Sequence, residues 1–200
     1  MKLIKNTIHF ILSLSCLMIL FSCNSKEQQV NFNDSGIEKV VKANSNSKHV
    51  FEKALKTGNT ADAIADWFPK ELGDYKLDKQ SIEKDKRNLG WASAIYKHGS
   101  NSNKDVTLNI WDGLGSFASV INNLKTANLE GEGEESNSQM RKKIYVRNGQ
   151  KASEMEVFPS GLIHIIFEAE QRFYVTMRSN NNSLMTIWQM ADELNFNSLK

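Results

Sequence analysis

Hydrophobic and polar positions divide the chain into stretches of different character. Ile8 to Phe21 is an apolar run of fourteen residues, interrupted only by His9, Ser13 and Ser15. From Asn24 to Gly36 the chain turns polar, with Val30 and Phe32 as its large apolar groups. Ile37, Val40 and Val41, then Val50, Phe51, Ala54 and Leu55, recur at helical spacing and predict short amphipathic helices ending near Gly58. Thr60 can cap a further helix with Ile64, Trp67 and Phe68 on one face. Pro69 stops it, because the residue before proline is pushed out of the helical region.

From Leu72 the period changes to two. Trp91 to Lys97 and Val106 to Trp111 read as strands, with Val106, Leu108 and Ile110 on one face and Thr107, Asn109 and Trp111 on the other. Gly113 and Gly115 break the second strand. Ser116 then opens a helix that presents Phe117, Val120, Ile121 and Leu124. After an acidic glycine loop at Glu130–Glu135, strands are expected at Lys143–Arg147, Ala152–Phe158, Leu162–Glu168 and Arg172–Arg178. Turns fall at Asn148-Gly149, a strong hairpin signal, and at Pro159-Ser160-Gly161. Ser183 caps a last helix with Leu184, Ile187, Trp188, Ala191 and Leu194 inward. Alternation within strands and single apolar stripes on helices predict an α+β fold. The expected architecture is an antiparallel sheet of about six to eight strands in two strands-then-helix halves, with helices packed on it and short helices before it.

The beginning of the chain carries the clearest message. Lys2 and Lys5 precede the apolar run, and there is no acid before Glu27. The run is too short for a helical membrane span, which needs ~20 residues, and reads as a secretory signal. It ends Leu20-Phe21-Ser22-Cys23 and is followed by Asn24-Ser25-Lys26-Glu27-Gln28-Gln29. This resembles the lipobox of bacterial lipoproteins, with Leu20 three before the cysteine and small Ser22 just before it. The resemblance implies a thioether-linked diacylglycerol on Cys23, cleavage before it, and acylation of the new amino group. A plain signal peptide cut elsewhere would instead leave Cys23 as a free thiol. Cys16 fits worse, because the apolar Leu17 to Phe21 follows it. Asn24 is not the aspartate that retains many proteobacterial lipoproteins in the inner membrane. Ser25-Lys26-Glu27 resembles a degenerate surface-export signal of Bacteroidota lipoproteins.

The expected organisation is therefore a signal peptide at 1–22, a lipid-anchored polar tether at 23–36, a helical segment at 37–68 and an α+β domain at 69–200. Phe68-Pro69, Asn148-Gly149, Arg172-Phe173-Tyr174-Val175 and the closing Ser183–Leu194 helix are similar to features of a group of uncharacterised bacterial envelope proteins. That resemblance implies fold and compartment and brings no activity.

Candidate chemistry is sparse. Gly113-Leu114-Gly115-Ser116-Phe117-Ala118 fits the spacing of a dinucleotide fingerprint. The polar Thr107 and Asn109 in the preceding strand are wrong for a buried parallel strand, and a tight strand-to-helix turn is the better reading. The acidic loop lacks the alternating oxygen ligands of a calcium loop and reads as solvated. Glu154 and Glu156 share a strand face, as do Glu168 and Glu170; a cross-strand ion pair of Lys151 with Glu168 is expected, and acid–base catalysis would need one carboxylate desolvated. His49, His98 and His164 are scattered, with His164 a strand residue; neither a metal cluster, a cofactor motif nor an activated nucleophile is visible. Trp111, Tyr145 and Tyr174 lie off the valine faces of their strands and are the candidate binding face.

Composition adds compartment rather than chemistry. The 200 residues hold 25 Lys and Arg against 23 Asp and Glu. A formal charge of +2 is no nucleic-acid footprint. Lys2 and Lys5 would leave with the signal, so the mature chain is neutral. The expectation is a non-enzymatic, lipid-anchored envelope protein without a cofactor, in the outer membrane and exposed at the surface. It would meet the membrane through Cys23 and bind a protein partner, or else carry an apolar, lipid-like ligand.

Overall fold

The computed structural model describes residues 48–50, 52, 53, 56–84 and 90–199. The expected signal segment, Cys23, the expected tether and most of the helices expected from Ile37 lie outside the described residues; 48–50 and 52–53 are helical. Three α-helices follow, α1 (Ala61–Trp67), α2 (Ala118–Leu129) and α3 (Leu184–Asp192), with nine strands. These are β1 (Glu71–Leu72), β2 (Tyr75–Lys84), β3 (Gly90–His98), β4 (Asn101–Asp112), β5 (Gly133–Ser136), β6 (Met140–Arg147), β7 (Gln150–Val157), β8 (Leu162–Ala169) and β9 (Phe173–Asn180).

All nine strands form one antiparallel sheet in the order β1-β2-β3-β4-β9-β8-β7-β6-β5. The fold is α+β, and the sheet is larger than the expected six to eight strands. One addition is β1, a two-residue edge. Another is β5, cut from the acidic glycine loop. Its Glu134 and Glu135 stand opposite Lys143 and Lys142 of β6, and this complementary pairing turns part of an expected loop into a strand. The closing strands of the two halves, β4 and β9, meet at the centre, with Ile110 opposite Val175 and Leu108 opposite Met177.

The helices cover opposite faces of the sheet. On one, α1, α3 and a terminal 3₁₀ turn (Phe196–Leu199) pack over Val106, Leu108, Ile110, Ile165, Val175 and Met177, all buried. Each such Leu, Ile or Met contributes roughly 1.5–3 kcal/mol of transfer free energy. Thr60 Oγ1 accepts from Ala63 N at 3.1 Å and Ser183 Oγ from Thr186 N at 3.1 Å, so both expected caps are in place. Ile64 and Phe68 are buried as their spacing requires.

On the other face α2 lies over Ile166 and Tyr174 with Ile121 and Leu129. Its start differs from the expectation. Gly115–Phe117 form a 3₁₀ turn and the α-helix begins at Ala118, so Ser116 sits inside the turn rather than capping. In the helix Ala118, Ile121 and Leu129 are buried, whereas Val120, expected inward, is 49% exposed.

The turns obey local chemistry. Asn148 and Gly149 both adopt positive φ (52° and 78°) between the paired Arg147 and Gln150, the geometry two-residue hairpins favour. A β-carbon on Gly113 would sit 2.3 Å from the Arg172 carbonyl oxygen, to which Gly113 N donates at 3.1 Å. The Gly-Leu-Gly step is therefore a close backbone crossing between β4 and the β8–β9 turn.

Candidate functional site

The expected binding face separates into two places. Trp111 and Tyr174 are directly opposed on β4 and β9, their rings 5.6 Å apart and inclined at 65°. Trp91 of β3 pairs with Trp111 on the other side, at 5.3 Å, so a row of three aromatic rings crosses the central strands. Edge-to-face and tilted rings at such separations attract beyond their area burial. Both tryptophans are half-buried, whereas Tyr174 is 3% exposed beneath α2. Burial pushes the Tyr174 hydroxyl up to about 12, against a hydrogen bond with Asn128 that acts in the opposite direction.

Tyr145 belongs to the other face. Its register partner is Ala152, which shares the α3 side with Phe167, and its ring meets Trp188 edge-on at 6.4 Å. Its hydroxyl donates to Glu154 Oε2 at 2.8 Å, and Trp188 Nε1 donates to the same oxygen at 3.0 Å. Glu154 is buried, and Arg141 Nη2 lies 4.0 Å from its second oxygen, Oε1. Burial first, then the bond to Glu154 and its negative charge, hold the Tyr145 hydroxyl well above its ordinary value. Arg147 closes the group, lying 4.4 Å over the Trp188 ring and gripping Asp192 through two bonds of 2.6 and 2.7 Å.

The other candidates fall as follows. Glu156 pairs with Arg141 at 2.9 Å. Glu168 and Glu170 do not share a strand face, because β8 ends at Ala169 and Glu170 turns into the left-handed region with φ 52°. Ala152 stands opposite Phe167, a register that carries Lys151 towards Glu168, but the Glu168 carboxylate bonds Lys125 of α2 at 2.5 Å. His164 lies on β8 opposite Arg178, its pKa lowered by burial and then by that guanidinium. Among the described residues no group of three or more His, Cys, Asp or Glu side chains is placed to hold a metal. No described helix is long and apolar enough to cross a membrane.

Sequence reading missed Trp91, the donors onto Glu154, and Asp112. Asp112 is buried and accepts from Arg172 Nε at 2.8 Å, Asn59 N at 2.7 Å and Leu114 N at 3.0 Å. Its place at the end of an apolar strand, just before Gly-Leu-Gly, was the available signal.

No known protein family matches the chain, and no curated protein does. Among solved structures, a GTP binding regulator from Thermotoga maritima aligns with 66% of this chain and 84% of its own, at 13% identity and a TM-score of 0.32. A likeness at that level carries no argument about what this chain does.

Proposed function

We propose that the protein is a lipid-anchored envelope lipoprotein whose sheet domain serves binding or assembly without catalysis. The setting of Cys23 carries this reading: Lys2 and Lys5, an apolar run that stops short of a span, Leu20-Phe21-Ser22-Cys23, and an abrupt polar continuation. An acylated cysteine with two or more chains anchors stably where one chain binds only marginally. Asn24 and the Ser25-Lys26-Glu27 sequence point to the outer membrane and its surface. Support for a non-catalytic domain comes from Glu154, whose Oε2 is already engaged by Tyr145 and Trp188. A side-chain-filled interior on the α1 and α3 face suits a binding scaffold more than a vessel. The decisive experiment replaces Cys23 with Ala and follows radiolabelled palmitate and membrane fractionation. Loss of both label and membrane recovery is expected; unchanged labelling overturns the anchor.

A second reading, a carrier for an apolar lipid-like ligand, draws on the half-buried Trp91–Trp111 pair. It requires the tryptophan emission to shift on adding a fatty acid, with the shift abolished in Trp111→Phe.

A further inference from the structure

Three lysines and a histidine from separate parts of the chain converge on one cleft of about 310 Å³ on the α2 side of the sheet. His49 and Lys53 come from the helical residues before α1, Lys125 from α2 and Lys151 from β7. The acids nearby do not balance them. Glu168 is engaged by Lys125, which forms its 2.5 Å ion pair there. Glu130, at the rim, is exposed and accepts from the Thr126 hydroxyl at 3.2 Å. Neither Lys53 nor Lys151 pairs with a carboxylate among the described residues, and Lys53 Nζ donates to the Gln171 carbonyl instead. Burial lowers the Lys53 pKa, and the neighbouring Lys125 charge lowers it further. Lys53 and Lys151 therefore line one cleft without a carboxylate partner, Lys53 under the added repulsion of Lys125, an arrangement that an incoming anion relieves.

We propose that this cleft binds a phosphate-class anion between Lys53 and Lys151, with Asn122 as a neutral hydrogen-bond partner. Lysine ammonium groups act on phosphate as point charges, whereas the planar fork suited to a carboxylate belongs to arginine, and among the described residues no arginine lines the cleft. The cleft falls within the size of small-molecule sites, so a phosphate ester with a substituent fits better than the bare ion. The ester can be a lipid headgroup or a soluble phosphate, and the inference does not depend on the anchor at Cys23.

The test is calorimetric titration of the full chain in non-ionic detergent with inorganic phosphate and, separately, with dihexanoyl phosphatidylglycerol. Saturable binding is expected, weakened about tenfold or more by Lys53→Gln and by Lys151→Gln, as loss of one charge-assisted bond requires. Lys79→Gln on β2 leaves it unchanged. Tighter binding of the phosphatidylglycerol assigns a headgroup, and equal or tighter binding of phosphate assigns a soluble ester. Lys151 is exposed, so Lys151→Gln decides the matter if Lys53→Gln fails to fold. Absence of saturation by either probe, or affinity unchanged in the folded variants, overturns the proposal.

Discussion

Arg172 holds the carboxylate of Asp112 through two guanidinium nitrogens, Nε to Oδ1 at 2.8 Å and Nη2 to Oδ2 at 2.5 Å, and Asp112 is 3% exposed. The same carboxylate receives the backbone N–H groups of Asn59 and Leu114. One buried acid therefore ties the loop before α1, the end of β4 and the β8–β9 turn together. Replacing Asp112 by Ala strands a partly buried guanidinium and two backbone donors. The expected loss is about 3–5 kcal/mol in urea unfolding. A loss below about 1 kcal/mol, the range of exposed ion pairs, would show the clasp to be peripheral.

Gly113 crosses the Arg172 carbonyl too closely for a side chain. Gly113→Ala is expected to destabilise by at least about 1–3 kcal/mol through overpacking. Gly133 meets nothing within 4 Å at its β-carbon position and lacks a positive φ, so Gly133→Ala stays within about 0.5 kcal/mol. Thermal unfolding of the two variants side by side tests the contrast; equal effects would refute the crossing as the reason for the Gly-Leu-Gly step.

Tyrosine burial gives the domain an alkaline limit. Tyr145 is held above its ordinary pKa of 10.0, by burial first, and Tyr75, Tyr96 and Tyr174 are raised for the same leading reason. A raised tyrosine keeps its proton in the folded state while the unfolded chain loses it. Stability is therefore full below about pH 10 and falls as pH rises beyond it. Tyr145→Phe should flatten that fall, read as unfolding midpoints from pH 8 to pH 11. A variant with the wild-type slope would contradict the assignment.

His164 sets a milder limit on the acid side. Its folded pKa lies below the ordinary 6.5, because burial and Arg178 disfavour the imidazolium. The unfolded chain takes up the proton first, so stability declines as pH drops through about 6.5 and levels off below the folded pKa. His164→Asn should remove this part of the profile. Nuclear magnetic resonance titration of the imidazole gives the direct check: a folded value above 6.5 excludes the effect.

Glu170 and Gln171 both occupy the left-handed region with φ 52°, where side chains clash with the backbone. Gln171→Gly is expected to raise stability by up to about 1 kcal/mol, since relief of strain outweighs the added chain entropy. Arg172→Gly should instead destabilise clearly, because it strips the buried Asp112 carboxylate of its guanidinium. Melting temperatures of the two variants decide the point.

Local signals carried much of the architecture. Asn148-Gly149 announces its hairpin because both residues must take positive φ, and Thr60 and Ser183 announce their helices through hydroxyls that cap them. Alternation also separates Val106, Leu108 and Ile110 from Trp111 correctly. What escaped depends on register across strands. Trp91 faces Trp111 only because the β3–β4 hairpin shifts between His98–Asn101 and Lys97–Asp105, a bulge the sequence does not advertise. Tyr145 and Tyr174 each lie off a valine in their own strand, yet period two fixes sides only within a strand. Through β7 and β8 they end on opposite faces. The strand β5 escaped for a related reason, since its partner charges come from β6.

The β5 edge has a consequence for association. Its four residues are all exposed, and an open strand edge of this kind is a template for a strand from a neighbouring molecule. Glu134 and Glu135 flank that opening, so two such rims brought together would set carboxylate against carboxylate. The strand is also too short to template a long ladder. Negative charge and brevity together guard the rim of the sheet against polymerisation, a protection that matters most wherever many copies are crowded together.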